Sequence, residues 1–135
     1  MLNQTNLTQI SIFTASICIF KTLISETDFD LEEADVMLGH SLGEYTALAC
    51  SDKLNLIECS QILKKRGELM NEAVTPNQTG MAALIGSNSN NIKNIINNNN
   101  INLEIANDNS PLQVVISGDI LELEKSKSIF LDNGI

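Results

Sequence analysis

A chain of 135 residues suffices for one ordinary domain, and its 43 % apolar side chains can supply a core. With 8 basic against 17 acidic residues and a net charge of −9, nucleic acid and anionic membranes are excluded as default partners, since both require a basic face. Three cysteines (Cys18, Cys50, Cys59) without C-x-x-C spacing and a single histidine make neither a zinc site nor a disulfide framework. No metal or cofactor is expected, and each cysteine, lying in an apolar helical stretch, should be buried and reduced.

In chain order, residues 7–24 carry apolar side chains almost all round, the pattern of a helix covered on several sides. No apolar run approaches the roughly 18 residues of a membrane span, and the start lacks the basic region of a secretory signal. An acidic connection, Ser25 to Asp35, leads into a short strand, Asp35 to Leu38. There Gly39-His40-Ser41-Leu42-Gly43 follows, and a helix-forming run leaves it to about Cys50. An apolar run, two glycines bracketing one serine, and a helix make the pattern of a nucleophile elbow, in which the serine is pushed out on a strand-to-helix turn too tight for side chains two residues either way. The helix would aim free N–H groups and its positive dipole end at Ser41, with the Leu42 N–H as oxyanion donor. A serine that merely caps the helix is the structural alternative.

Asp52, in the turn after this helix, tolerates a left-handed conformation. The next helix starts after Asn55 as N-cap and runs to about Val74. Gly67 inside it costs about 1 kcal/mol against Ala and so permits a close approach of neighbouring backbone or substrate. Lys64, Lys65 and Arg66 are the only clustered cations, either a local docking patch or a solvated helix face. A hinge-like loop, Thr75 to Gly80, divides residues 1–76 from 77–135. The second part reads strand (81–85), helix (89–97), strand (102–106), strand (112–117) and helix (119–133), with Asn97 to Asn100 a loop extension. Asp119 with Glu122 resembles a capping box, and Asn133-Gly134 is a helix stop. The order β-α-β-β-α is a ferredoxin-like unit without its last strand.

The string Gly39 to Tyr45, GHSLGEY, resembles the active-site segment of the malonyl-CoA:acyl-carrier-protein transacylases, which load malonyl groups for fatty-acid and polyketide synthesis. Distant segments resemble the family in the same order: Thr8-Gln9 with Ile12 to Ser16, then Lys65 to Met70, Met81 to Gly86, Ala106 to Pro111, and Gln113 to Gly118. The resemblance implies an α/β fold, with residues 1–76 part of an α/β hydrolase-like acyltransferase core and 77–135 a ferredoxin-like subdomain. It also implies a cytoplasmic enzyme, or an organelle-matrix one if the true N-terminus lies elsewhere, monomeric when complete. Malonyl-CoA and acyl carrier protein would be its partners, without nucleic acid or membrane. The chain would be an internal piece of such an enzyme, close to inactive alone, because the family's Gly-Gln-Gly strand, its base histidine and its C-terminal glutamine region match nothing here.

By the same resemblance, Ser41 attacks the malonyl thioester and the resulting ester passes to a phosphopantetheine thiol. Arg66, twenty-five residues on, pairs with the malonyl carboxylate, which a guanidinium can do bidentately. His40 and Asn109 are further substrate-binding candidates. His40, whose side chain should diverge from that of Ser41, is not expected to be its base, and Asn109 in an Asn-Ser-Pro turn could equally bond its own backbone. Two other functions remain: a serine hydrolase or thioesterase using the same elbow, which gives Arg66 no role, and a non-catalytic binding module.

Overall fold

The computed structural model describes residues 5–74 and 77–135. They form a mixed helix and strand protein with one small antiparallel sheet, dividing into two compact units, one up to Ala73 and one from Val74 onward.

The first unit holds helices α1 (Thr5–Glu26), α2 (Gly43–Cys50) and α3 (Leu56–Glu72), with a short 3-10 turn, Leu31–Glu33, capped by Asp30 in the acidic connection. Its core is Phe13 and Ile17 of α1 against Ala49, Cys50, Cys59 and Leu63. The all-round apolar pattern of α1 therefore overstates its burial. Only the stripe Gln9, Phe13, Ile17, spaced by four, is buried, while Ile19 is 70 % exposed. Cys18 is on the exposed side, contrary to expectation; Cys50 and Cys59 are buried. The expectation on membrane spans also needs correction: Leu7–Glu26 is long and apolar enough to cross a membrane by length and composition. Scattered Thr, Ser and Gln residues had broken the apolar run as read from sequence, yet their average leaves it strongly apolar.

The expected strand Asp35 to Leu38 is irregular chain, in no helix or strand and without ladder partners among the described residues. A single strand has nothing to exchange hydrogen bonds with, and Leu38 stands 85 % exposed. The start of α3 is fixed by a full capping box: Asn55 Oδ1 accepts from Glu58 N at 2.8 Å, and Glu58 Oε2 accepts from Asn55 N at 3.4 Å.

In the second unit, β1 (Thr79–Ile85), α4 (Ser89–Asn98), β2 (Leu103–Ser110), β3 (Gln113–Asp119) and α5 (Ile120–Asp132) build an antiparallel sheet in the order β1-β3-β2. Residues 75 and 76 of the expected hinge lie outside the described residues, and Thr79 and Gly80 already belong to β1. Alternation sends Leu84, Leu103, Val114 and Ile116 to one face, where Ile92 and Ile95 of α4 and Phe130 of α5 cover them. Strand β2 runs four residues beyond its expected end at 106, to Ser110, because bulges after Ile105 and after Asp108 let it stay paired with β3.

Three helices end alike. After α2, α4 and α5 a residue in the left-handed region (Asp52, φ 55°; Asn100, φ 51°; Gly134, φ 76°) lets the next N–H reach back to a carbonyl of the last turn. The bonds are Lys53 N to Leu48 O at 2.9 Å, Ile101 N to Ile96 O at 3.0 Å and Ile135 N to Phe130 O at 3.0 Å. The run Asn97 to Asn100 is thus a helix terminus and not a loop extension, with Asn99 Nδ2 donating to Ile95 O at 2.9 Å. At α5, Asp119 Oδ1 caps Leu121 N and Glu122 N, but Glu122 does not complete a capping box: its carboxylate accepts instead from Asn102 N at 3.2 Å, tying the helix to the approach to β2.

Candidate active site

Ser41 adopts φ 55°, a conformation costly for a residue with a Cβ. Gly43 N donates to His40 O at 2.9 Å and Glu44 N to Ser41 O at 3.2 Å, closing the turn into α2. No acceptor for the Leu42 N–H lies among the described residues, so this donor at the helix start is the one available to an oxyanion.

The two glycines differ. A Cβ on Gly39 would sit 2.0 Å from the Gly43 carbonyl carbon, so only glycine fits there. At Gly43 a Cβ would meet nothing within 4 Å of it, contrary to the expected symmetric demand; among the described residues the crowding is all on the Gly39 side, where the turn folds back on itself.

Helix α3 brings Arg66 to this turn, where its Nη2 donates to Ser41 Oγ at 2.8 Å. Its Nη1 donates to Gln9 Oε1 at 2.5 Å, and Gln9 Nε2 donates to Met70 Sδ at 3.2 Å. The described residues place no carboxylate within ion-pair distance of Arg66. A guanidinium held by two neutral oxygens keeps its full charge for an anionic ligand. Serine, arginine and the helix-start N–H thus lie within one unit, a hydroxyl beside a cation and a free backbone donor.

His40 is exposed and lines an apolar cavity of about 640 Å³ with Phe20, Phe29, Met37 and Ala47, and Ser41 is not part of that wall. Asn109 lies at the second bulge of β2, in the second unit, on a paired strand and not on the loop expected for it. Pairing with β3 carried the strand through Asn109. Lys65 forms an exposed pair with Glu68 at 3.6 Å, as on a solvated helix face.

The residue that sequence reading passed over is Gln9. It stands on the buried stripe of α1, where Phe13 and Ile17 hold the next two places, and a polar side chain in such a stripe is the signal that could have singled it out.

Residues 1–126 match the acyl transferase domain. The chain is 33 % identical over 135 residues to the malonyl CoA-acyl carrier protein transacylase of Haemophilus influenzae, covering 98 % of this chain and 43 % of that protein. It is 36 % identical over 103 residues to the Bacillus subtilis protein of the same name, covering 74 % and 32 %. Among solved structures, the malonyl CoA-acyl carrier protein transacylase (FabD) from Coxiella burnetii superposes with a TM-score of 0.85 at 36 % identity, over 98 % of this chain and 42 % of that one. A type II polyketide-synthase acyl-carrier protein in complex with its malonyl-transacylase gives a TM-score of 0.83 at 30 % identity, over 98 % and 43 %. The chain therefore spans about two fifths of the length of such relatives. By sequence over nearly its whole length, it belongs to the acyl transferase domain family.

Proposed function

We propose that these residues carry the nucleophile and the acyl-selecting cation of a malonyl-CoA:acyl-carrier-protein transacylase. The observation that carries the proposal is the 2.8 Å contact between Arg66 Nη2 and Ser41 Oγ. Ser41, on a nucleophile elbow, attacks the thioester carbonyl of malonyl-CoA. The Leu42 N–H receives the developing oxyanion, and collapse expels the CoA thiol, leaving a malonyl ester on Ser41. Arg66 pairs with the malonyl carboxylate, and the phosphopantetheine thiol of acyl carrier protein then takes the acyl group. His40 is not given the role of base, because neighbours on such a turn project their side chains in diverging directions. Asn109 is kept only as a contact for the substrate.

In this reading residues 1–76 are part of an α/β hydrolase-like acyltransferase core, and 77–135 are a ferredoxin-like subdomain. The strand order β1-β3-β2 with both helices on one face supports the latter. The setting is the cytoplasm.

The test uses the protein at the length its own gene encodes. Mixed with malonyl-CoA, it should gain one malonyl group by intact mass, and Ser41→Ala should gain none; an adduct on Ser41→Ala sinks the assignment. Arg66→Ala should lower the malonyl-to-acetyl ratio of kcat/KM by about ten- to a hundredfold, the scale of a hydrogen bond to a charged group. A serine hydrolase using the same elbow predicts no change in that ratio.

A further inference from the structure

We infer that Gln9 is the positioning residue of the Arg66 clamp, holding the guanidinium by Nη1 so that Nη2 stays over the nucleophile; the inference rests on the carboxylate-pairing role proposed for Arg66.

Gln9 is 4 % exposed and occupies a stripe whose other members are Phe13 and Ile17. An apolar side chain there would extend the core at no polar cost, whereas a buried amide is costly unless its donors and acceptor are met. Both ends of this amide are met by residues one turn apart on α3: Oε1 accepts from Arg66 and Nε2 donates to Met70 Sδ. The orientation of the amide follows from chemistry, because a guanidinium only donates and so must face the oxygen. A thioether is a weak acceptor, so the Met70 contact chiefly settles which way the amide points, while the charged contact to Arg66 carries most of the energy.

The consequence is geometric. An arginine side chain has many rotamers and loses them on binding. With Nη1 anchored on a buried helix, the guanidinium plane is set before a ligand arrives, and Nη2 can exchange Ser41 Oγ for a carboxylate oxygen by a small rotation about the anchored end. Ser41 Oγ then loses a donor from one of its lone pairs at the moment the carboxylate docks. The side-chain hydrogen bonds of Gln9 go to Arg66 and Met70 and not to Ser41, so its effect on the nucleophile runs through Arg66.

The experiment measures transfer from malonyl-CoA and acetyl-CoA by the protein at its genetically encoded length, with Gln9→Met and Gln9→Glu. Methionine keeps the length and burial but replaces the amide oxygen with a thioether, a far weaker acceptor for Nη1. The malonyl-to-acetyl ratio of kcat/KM should fall about tenfold, carried by a rise in the malonyl KM, with the melting temperature kept or raised. Glutamate keeps the acceptor but neutralises the cation, so the ratio should fall at least as far, and it serves where the methionine variant fails to fold. Arg66→Ala is run alongside. A ratio that collapses in Arg66→Ala but stands unchanged in both Gln9 variants overturns the positioning role and leaves the clamp intact. A ratio unmoved in Arg66→Ala overturns the clamp itself. Equal losses for malonyl and acetyl transfer in the Gln9 variants make Gln9 a packing residue and overturn the inference.

Discussion

The two units reach order by different means. In the second, an antiparallel sheet sends alternate side chains to one face, two helices close over it, and Ile92, Val114 and Ile116 are essentially out of solvent. In the first, three helices share a core of six residues, two of them cysteines, while Val36, Leu38 and Ile19 stand exposed. The second unit has the better-covered core, and the first holds Ser41, Arg66 and the left-handed turn. The turn at Ser41 thus combines a left-handed residue with the exposed Val36 and Leu38 just before it, while the second unit leaves Met81, Ile85 and Leu112 exposed around a closed core.

Core truncation is the sharpest way to break this contrast. Leu63→Ala and Ile92→Ala each remove a fully buried side chain and should cost about 2–5 kcal/mol. By hydrogen exchange, Leu63→Ala should lower protection in residues 7–73, and Ile92→Ala in residues 79–135. Loss of protection across both units from either substitution would mean that they fold as one.

The turn gives a smaller effect confined to the first unit. Gly39→Ala must push the Gly43 carbonyl aside, at a cost of roughly 1–3 kcal/mol or more, and should slow labelling of Ser41 by a fluorophosphonate. Gly43→Ala, with open space around its Cβ, should leave both stability and labelling nearly unchanged; equal damage from the two substitutions would show that Gly43 is as crowded as Gly39.

The helix caps are smaller again. Asn55→Ala in the first unit leaves the Glu58 N–H, and Asp119→Ala in the second the Leu121 and Glu122 N–H groups, without a side-chain acceptor, and each should cost about 1 kcal/mol, read from urea midpoints.

The smallest effect is alkaline. Burial pushes the Cys50 and Cys59 thiols above their ordinary value of 9.0, and the second unit contains no cysteine. Because the folded thiols hold their protons to higher pH than the unfolded ones, their contribution is full below about pH 9 and is lost as pH rises through the folded values. Protection in the first unit should fall with pH there more than in the second, and iodoacetamide should reach Cys18 well before Cys50 and Cys59. Alkylation of all three at one rate would refute the burial.

Much of the fold was legible because it is local. Asn55 with Glu58, Asp119 before α5, the left-handed Asp52 and the Asn133-Gly134 stop act within a turn or two of chain, so residue type alone announces them. The pairing of Ser41 with Arg66 was legible only through resemblance, since no spacing rule brings together residues twenty-five apart.

What the sequence by itself determined, then, is where helices start and stop, which faces of the strands are apolar, and that one serine stands between glycines before a helix. Tertiary structure alone decided the rest. Whether Val36 to Leu38 is a strand depends on a neighbour with which to exchange hydrogen bonds, and whether β2 ends at 106 or 110 depends on bulges accommodated by β3. Which stripe of an almost wholly apolar α1 is buried depends on where α3 lies, and that packing turned Gln9 from one polar residue in a helix into the anchor of Arg66.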